Sequence, residues 1–409
     1  MENIIPYGKQ YISQADIDSV VAVLQSDFLT QGPVVKAFED AFAQYVGAKY
    51  AVAVANGTAA LHLNALALGV KPGDKVITSP ITFAASANCI RYCGGEVVFA
   101  DINPETYLLD IDKVRELLEG DIHKEIKGII PVDFAGRSVD MEAFRILANE
   151  YGCWIIEDAC HAPGAFFTNS LGEDVKAGSG RYADLAIFSF HPVKHIATGE
   201  GGMITTNNEE LYRELLELRT HGITRDQDKF QNSIELAIGN ESTTKSGQYP
   251  AWYMEMQSLG YNYRISDINC ALGLSQLQRA DKGLNRRYQI AARYNEAFKS
   301  VPQIIDRNFE SNTSQEQTGN PHAHHLYIIE VNNRLDLYNH LRENNIYTQI
   351  HYIPCHLMPY YQGLGWKLGD FPHSEDYYAG CISLPMYPTL TEEEQVYVIE
   401  TLVSFISRR

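Results

Sequence analysis

The chain has 409 residues, of which 45% are apolar and 21% charged, and its net charge is −18. The length exceeds one ordinary core, so two domains are expected, and the apolar share excludes a disordered chain. The acid excess excludes the basic footprint of a nucleic-acid binder and adhesion to an anionic membrane surface. It leaves room for a phosphorylated small ligand, because backbone amides and helix dipoles bind phosphate inside acidic proteins.

No apolar run reaches the about 18 residues that a membrane span takes, and the first residues lack the basic-then-apolar layout of a signal peptide. Seven scattered cysteines without a Cys-x-x-Cys pair point to a reduced, cytoplasmic protein with no disulfide framework or zinc ribbon. His322, His324 and His325 have no cysteine or carboxylate near them in sequence, so they read as a solvated strand entry instead of a metal site.

Residues 11–28 carry a helix pattern, with Ser13 as cap and Ile17, Val20, Val21 and Leu24 at helical spacing. Leu29 to Pro33 breaks it, and a second helix follows with Phe38, Phe42 and Tyr45 on one face. Strand patterns over 50–54, 75–78, 96–99, 126–132, 153–157, 185–189 and 202–205 then alternate with helix patterns over 58–68, 83–92, 111–118, 141–150 and 209–220. That alternation predicts a mostly parallel sheet covered on both faces. Residues 222–257 turn polar and read as an exposed loop and the passage between domains. Long helices are predicted over 266–280 and 282–300, and 307–321 reads as a mobile loop. A second alternation over 326–331, 335–344, 347–350 and 392–405 predicts a smaller α/β unit. The expected division is residues 1–257 and 258–409.

The most informative stretch is 183–202. An apolar strand from Leu185 leads through Ser189 and His191 to a single lysine, Lys194, and then to Gly199-Glu-Gly-Gly202 and another strand. Lysine is rarely placed between two buried strands. Burial depresses its pKa and frees the amine lone pair, which Schiff-base chemistry needs. Val54-Ala-Asn-Gly-Thr-Ala reads as strand, tight turn and helix, with amides and the Thr58 hydroxyl suited to a phosphate. Standing alone, the same residues make only a capped helix. Asp158 ends a buried strand at the ligand-binding edge of the sheet, although alone it would read as a cap. Gly178-Ser-Gly180 fits a dinucleotide-binding pattern only as letters, since it precedes a strand and no helix follows; it reads as a loop.

Ser189-Phe-His-Pro-Val-Lys194 with Thr198-Gly-Glu-Gly-Gly202, and Glu157-Asp-Ala-Cys-His161, resemble the lysine and aspartate segments of the DegT-type sugar aminotransferases. Within that family they are most similar to the branch serving pseudaminic acid synthesis. The resemblance runs from Tyr7 to about Pro388. It implies an α/β protein of the pyridoxal-phosphate (PLP) transferase fold type I, like aspartate aminotransferase, with PLP as cofactor. Lys194 is then the catalytic residue that links to the cofactor. Gly57, Thr58 and Ser189 hold its phosphate, Phe83 and His161 pack on its ring, and Asp158 faces the ring nitrogen. A protonated ring nitrogen makes the ring an electron sink. The family usually shows Ser-Gly-Thr where Asn56-Gly-Thr stands here.

Gly260-Tyr-Asn262-Tyr-Arg264 matches a segment whose Asn reaches the phosphate of a neighbouring subunit, which implies a homodimer. Tyr7, Thr30, His221, Arg264, His351 and Tyr352 match positions of the nucleotide-sugar pocket. The implied reaction moves an amino group from L-glutamate to the 4-keto position of a nucleotide-linked deoxy sugar, UDP-linked by the branch. An enzyme for another UDP- or dTDP-linked keto sugar, a sugar dehydratase of the same fold and a non-catalytic ligand sensor stay open as alternatives.

Overall fold

A computed structural model describes residues 4–238, 248–307 and 321–408. The stretch expected as a mobile loop, 307–321, lies outside the described residues except at its two ends.

Seven strands form the central sheet in the order Tyr50–Val54, Gly202–Thr206, Leu185–Ser189, Trp154–Asp158, Ile126–Ile130, Lys75–Thr78 and Glu96–Phe99. Gly202–Thr206 runs antiparallel to both neighbours, and every other pairing is parallel. Alternation along the strands divides the side chains between two cores. Val52 and Val54 meet Leu61 and Leu63 of the helix Gly57–Ala67. Ala51 and Ala53 point the other way, to Phe38 and Phe42 of the helix Pro33–Val46. Both faces are covered, which is why these strands read as nearly continuous apolar runs.

The helix Pro33–Val46 starts at Gly32, which has no side chain to cap it. Asp267 does so from across the chain: its two carboxylate oxygens accept from Gly32 N at 2.8 Å and Val34 N at 3.0 Å. The helix Asp267–Leu277 thereby packs against Gln14–Leu24 and Pro33–Val46, on the large sheet unit. Leu277, Ala280 and Leu284 belong to the core of Phe38 and Phe42, while Ile290, Tyr294 and Phe298 belong to the core of the small unit. The long helix Ala280–Phe298 therefore serves both cores. We propose that the division falls inside this helix and not at 257/258.

The small unit pairs Tyr327–Glu330 antiparallel with Cys381–Leu384 and covers them with Arg334–Glu343 and Glu392–Ser407. Ile5–Pro6 pairs parallel with Ile346–Tyr347, so the first described residues belong to this unit. The polar stretch 222–257 begins and ends in one small sheet. Ile223–Thr224 pairs antiparallel with Glu255–Met256, which brings its two ends together on the large unit.

Candidate active site

The carboxyl ends of the parallel strands open into a cavity of about 680 Å³. Tyr50–Val54 delivers the turn at Asn56, whose Oδ1 accepts from Ala59 N at 2.8 Å and caps the helix Gly57–Ala67. The amides of Gly57 and Thr58 sit in the first turn, where helix geometry supplies no acceptor. They and the dipole behind them suit an anion. Asn56 is engaged in the cap, so its replacement of the family's Ser leaves the amides in place. Gly57 lies close to the strand Leu185–Ser189: a Cβ there would lie 3.1 Å from Ser189 Cβ, so Ser189 would have to give by a few tenths of an ångström.

Trp154–Asp158 delivers Asp158, which is 5% exposed. Ser86 Oγ donates to its Oδ2 at 2.6 Å, and Cys160 N donates to its Oδ1 at 3.2 Å. Ser86 itself lies 2.8 Å from Thr82 Oγ1. These bonds fix the plane of the carboxylate at the cavity wall. Beneath it, burial pushes Asp133 well above the carboxylate range, with Glu157 adding to the effect. Burial also pushes Glu157 up to about 7. Burial favours the protonated forms of both acids, which reduces the negative charge beside Asp158.

Leu185–Ser189 delivers Ser189 and then Lys194. Burial is the main cause that lowers the Lys194 amine from its ordinary value, and the Arg287 guanidinium adds to it; Cys160 and Asp158 oppose. Lys194 Nζ lies 3.4 Å from His325 Nε2. His161 accepts from Ala135 N at its Nδ1, at 3.3 Å, so its proton sits on Nε2 and donates to Tyr352 Oη at 3.2 Å. Burial and then Lys194 hold His161 neutral. His351 is pushed down to about 3 by burial and by Lys194, and its Nδ1 lies 2.9 Å from Ser383 Oγ. Tyr7 packs on its ring with centroids 5.2 Å apart.

Gly57, Thr58, Asp158, His161, Ser189 and Lys194 line this one cavity, and Phe83 stands exposed at its mouth. Tyr7, His351 and Tyr352 line it as well. Thr30, His221, Asn262 and Arg264 do not. They share a separate patch in which Thr30 bridges Ser266, Thr220 bridges Asn262, and His221 N donates to Tyr261 O at 2.9 Å. Thr30, His221 and Asn262 are exposed there, and Arg264 lines a different hollow beside Gln31 and Lys36.

Two contributors are absent from the sequence reading. Ser86 is spaced one helical turn from Thr82, and that spacing was its only signal. His325 corrects the expected solvated strand entry: His322, His324 and His325 are 2%, 4% and 4% exposed. Leu326 enters the core immediately after them and carries them inward. Among the described residues no group of three His, Cys, Asp or Glu is placed to hold a metal, and no helix is long and apolar enough to cross a membrane.

Residues 10–403 match the model of the DegT/DnrJ/EryC1/StrS aminotransferase family. The chain is 38% identical to the spore coat polysaccharide biosynthesis protein SpsC of Bacillus subtilis, over 98% of this chain and 96% of that one. It is 34% identical to the UDP-4-amino-4,6-dideoxy-N-acetyl-beta-L-altrosamine transaminase of Campylobacter jejuni, over 99% and 98%. Its fold is similar to that of the putative sugar aminotransferase Spr1654 of Streptococcus pneumoniae in the PMP-form, with a TM-score of 0.85 and 29% identity over 99% of each chain. The PLP-form of that protein gives 0.84 at 28% identity. A cavity that joins an amine of lowered pKa, a fixed carboxylate and free helix amides suits a phosphorylated pyridine aldehyde. The chain belongs to the DegT/DnrJ/EryC1/StrS aminotransferase family and is a PLP-dependent sugar aminotransferase.

Proposed function

We propose that this enzyme moves an amino group from L-glutamate to the 4-keto carbon of a UDP-linked deoxy sugar, in a route of the pseudaminic acid type, and that it works as a homodimer in the cytoplasm. One observation carries the reading: Lys194, its amine pKa lowered by burial, shares a cavity with the fixed carboxylate of Asp158 and the free amides of Gly57 and Thr58. The Campylobacter transaminase supports a UDP-linked amino sugar, and SpsC supports a sugar destined for a surface polysaccharide.

When bound, the cofactor ring supplies an electron sink for the carbon that loses its proton. The amides of Gly57 and Thr58 and the hydroxyls of Thr58 and Ser189 hold its phosphate. Phe83 and His161 confine the ring, and Asp158 holds a proton at the ring nitrogen. Lys194 Nζ takes the proton from the α-carbon of glutamate and later delivers one to C4 of the sugar, as base and then acid. A lysine held below its ordinary pKa is ready for the first of these roles. Tyr7, His351 and Tyr352 border the sugar. Asn262, Thr30, His221 and Arg264 are supplied to the cavity of the partner chain.

The test incubates the pure enzyme with ¹⁵N-glutamate and a panel of UDP- and dTDP-linked 4-keto sugars, with products identified by mass. The expected product is a labelled UDP-4-amino sugar. Amination of dTDP sugars alone overturns the nucleotide assignment, and failure of glutamate to bleach the near-visible absorbance overturns the donor.

A further inference from the structure

Behind the lysine segment lies a second cavity, of about 670 Å³. The N-terminal arm walls it at Lys9 and Tyr11, the long helix Ala280–Phe298 at Lys282, Arg286 and Arg287, and the lysine segment at Lys194 and His195. With Arg279, six of its lining residues are Lys or Arg, and none is Asp or Glu. The chain as a whole has 51 acidic and 33 basic residues, so this hollow inverts the charge of its surroundings.

Much of that charge is unanswered. Arg279 is paired with Asp16, and Arg286 donates to Leu390 O at 2.7 Å. Lys9 and Lys282 make no ion pair among the described residues. Arg287 is 2% exposed. Its Nη1 donates to the carbonyls of His324, His325 and Met386, while its Nε is buried and finds no acceptor. No carboxylate among the described residues pairs with it. A buried guanidinium held only by carbonyls is costly without a counter-charge. His195 bonds Ala323 O through Nε2, and its Nδ1 is also buried without a partner.

We propose that this second cavity binds a phosphorylated small molecule carrying at least two negative charges, held by Lys9, Lys282 and Arg287. The guanidinium fork and the lysine point charges are the groups that recognise phosphate oxygens. Tyr11, with the Arg279 guanidinium 4.6 Å above its ring, and the side-chain amide of Gln10 offer a flat face and a donor for the rest of the molecule.

Occupancy is felt at the catalytic amine, because Lys194 lines both cavities. The Arg287 charge helps hold the amine below its ordinary value, and an anion against Arg287 offsets that push. The other groups facing Lys194 are Asp158 and Cys160, which favour its charge, and His161, His195, His325 and His351, which burial keeps neutral. A bound phosphate thus favours the protonated lysine and slows the enzyme.

The test titrates the holoenzyme, with cofactor saturating, with inorganic pyrophosphate and separately with UDP by calorimetry. Sodium chloride at matched ionic strength is the control. The expected result is one saturable pyrophosphate event per chain, weakened at least tenfold in the double variant Lys9→Gln, Lys282→Gln and unaffected by His351→Ala. Saturation should also raise the pH midpoint of the cofactor's near-visible absorbance. Tighter binding of UDP than of pyrophosphate, where the double variant weakens it and His351→Ala does not, makes the natural ligand a nucleotide; the reverse makes it a free polyphosphate. Binding that survives the double variant, binding that His351→Ala abolishes, or heat that chloride reproduces overturns the proposal. No sugar substrate enters the experiment, so its failure leaves the proposed transamination untouched.

Discussion

Replacing Gly202 with alanine probes whether the turn at Asn56 and Gly57 holds the cofactor phosphate. Gly202 opens the antiparallel strand, in register with Val54 on one side and Ser189 on the other. A Cβ there would lie 2.6 Å from the backbone carbon and oxygen of Asn56 and 2.9 Å from Gly57 N. Ordinary contact starts at 3.4 Å, so the turn must retreat by about 0.8 Å. Neither side yields by rotating a side chain. Asn56 is tied through its Oδ1 to Ala59 N and through its carbonyl to Ala60 N. Overpacking of this kind costs about 1–3 kcal/mol. A hydrogen bond to a charged group contributes about 1.5–3 kcal/mol, so losing one amide contact to the phosphate weakens the cofactor about tenfold to a hundredfold. Absorbance titration of the stripped enzyme with PLP measures that affinity, and thermal unfolding with and without cofactor separates it from the packing cost. Gly283→Ala is the control: its Cβ would meet only Pro388 Cγ, at 3.7 Å, inside the helix Ala280–Phe298. It should stabilise by about 0.5–1 kcal/mol. If Gly202→Ala retains the parental affinity for PLP, the phosphate is not held at this turn.

Asp267→Ala removes the cross-chain cap of the helix Pro33–Val46 and leaves the amides of Gly32 and Val34 without their acceptor, at a cost of about 1–3 kcal/mol. An unchanged urea midpoint would count against that role. Burial raises Glu157 in the folded chain from 4.5 to about 7, so its contribution to stability is whole below pH 4.5 and is lost as pH rises through about 7. Glu157→Gln should therefore gain on the parent in melting temperature as pH rises from about 5 to about 8, and a constant difference across that range refutes the shift. Mixing inactive Lys194→Ala with inactive Asn262→Ala should restore about a quarter of parental activity, since half the dimers are mixed and one of their two sites is intact. No recovery after subunit exchange would place Asn262 within its own chain's site.

The strands that position the site were legible because each is an apolar run closed by a turn. Tyr50–Val54, Lys75–Thr78, Glu96–Phe99 and Leu185–Ser189 begin and end where their patterns do. Cys381–Leu384 and the hairpin of Phe166–Thr168 with Asp174–Lys176 escaped: the hairpin strands are only three residues long, too short for a period to register, and Cys381–Leu384 follows the helix Pro372–Gly380 directly, with no turn to mark its start. The division at 257/258 followed the polar stretch. Polarity marks exposure, and it does not say that Glu255–Met256 returns to pair with Ile223–Thr224. His325 failed for a related reason: three histidines in four positions read as solvated, whereas Arg287 reaches the carbonyls of His324 and His325 from a helix about forty residues earlier and holds them inside.

Thr30, His221, Asn262 and Arg264 show where reading a single chain reaches its end. Spacing does not connect residue 30 to residue 262; the fold does, through the bridges of Thr30 with Ser266 and of Thr220 with Asn262. Yet the patch they make lies outside the cavity they were expected to line. It also carries apolar side chains that a lone chain leaves in water: Phe28 and Leu29 are about half exposed and Leu259 is 77% exposed, each within three residues of a patch member. Surface hydrophobics scattered singly need no explanation, but a group of them around functional side chains marks a contact with another molecule. His221 adds to this, since it holds a left-handed backbone (φ 62°), a conformation that non-glycine residues keep mainly where the surroundings or the function demand it. In the homodimer proposed above, a second copy of the chain would bury the apolar rim and receive the polar residues in its own cavity. In that dimer the sheet unit would supply one wall of each site, and the facing copy the other.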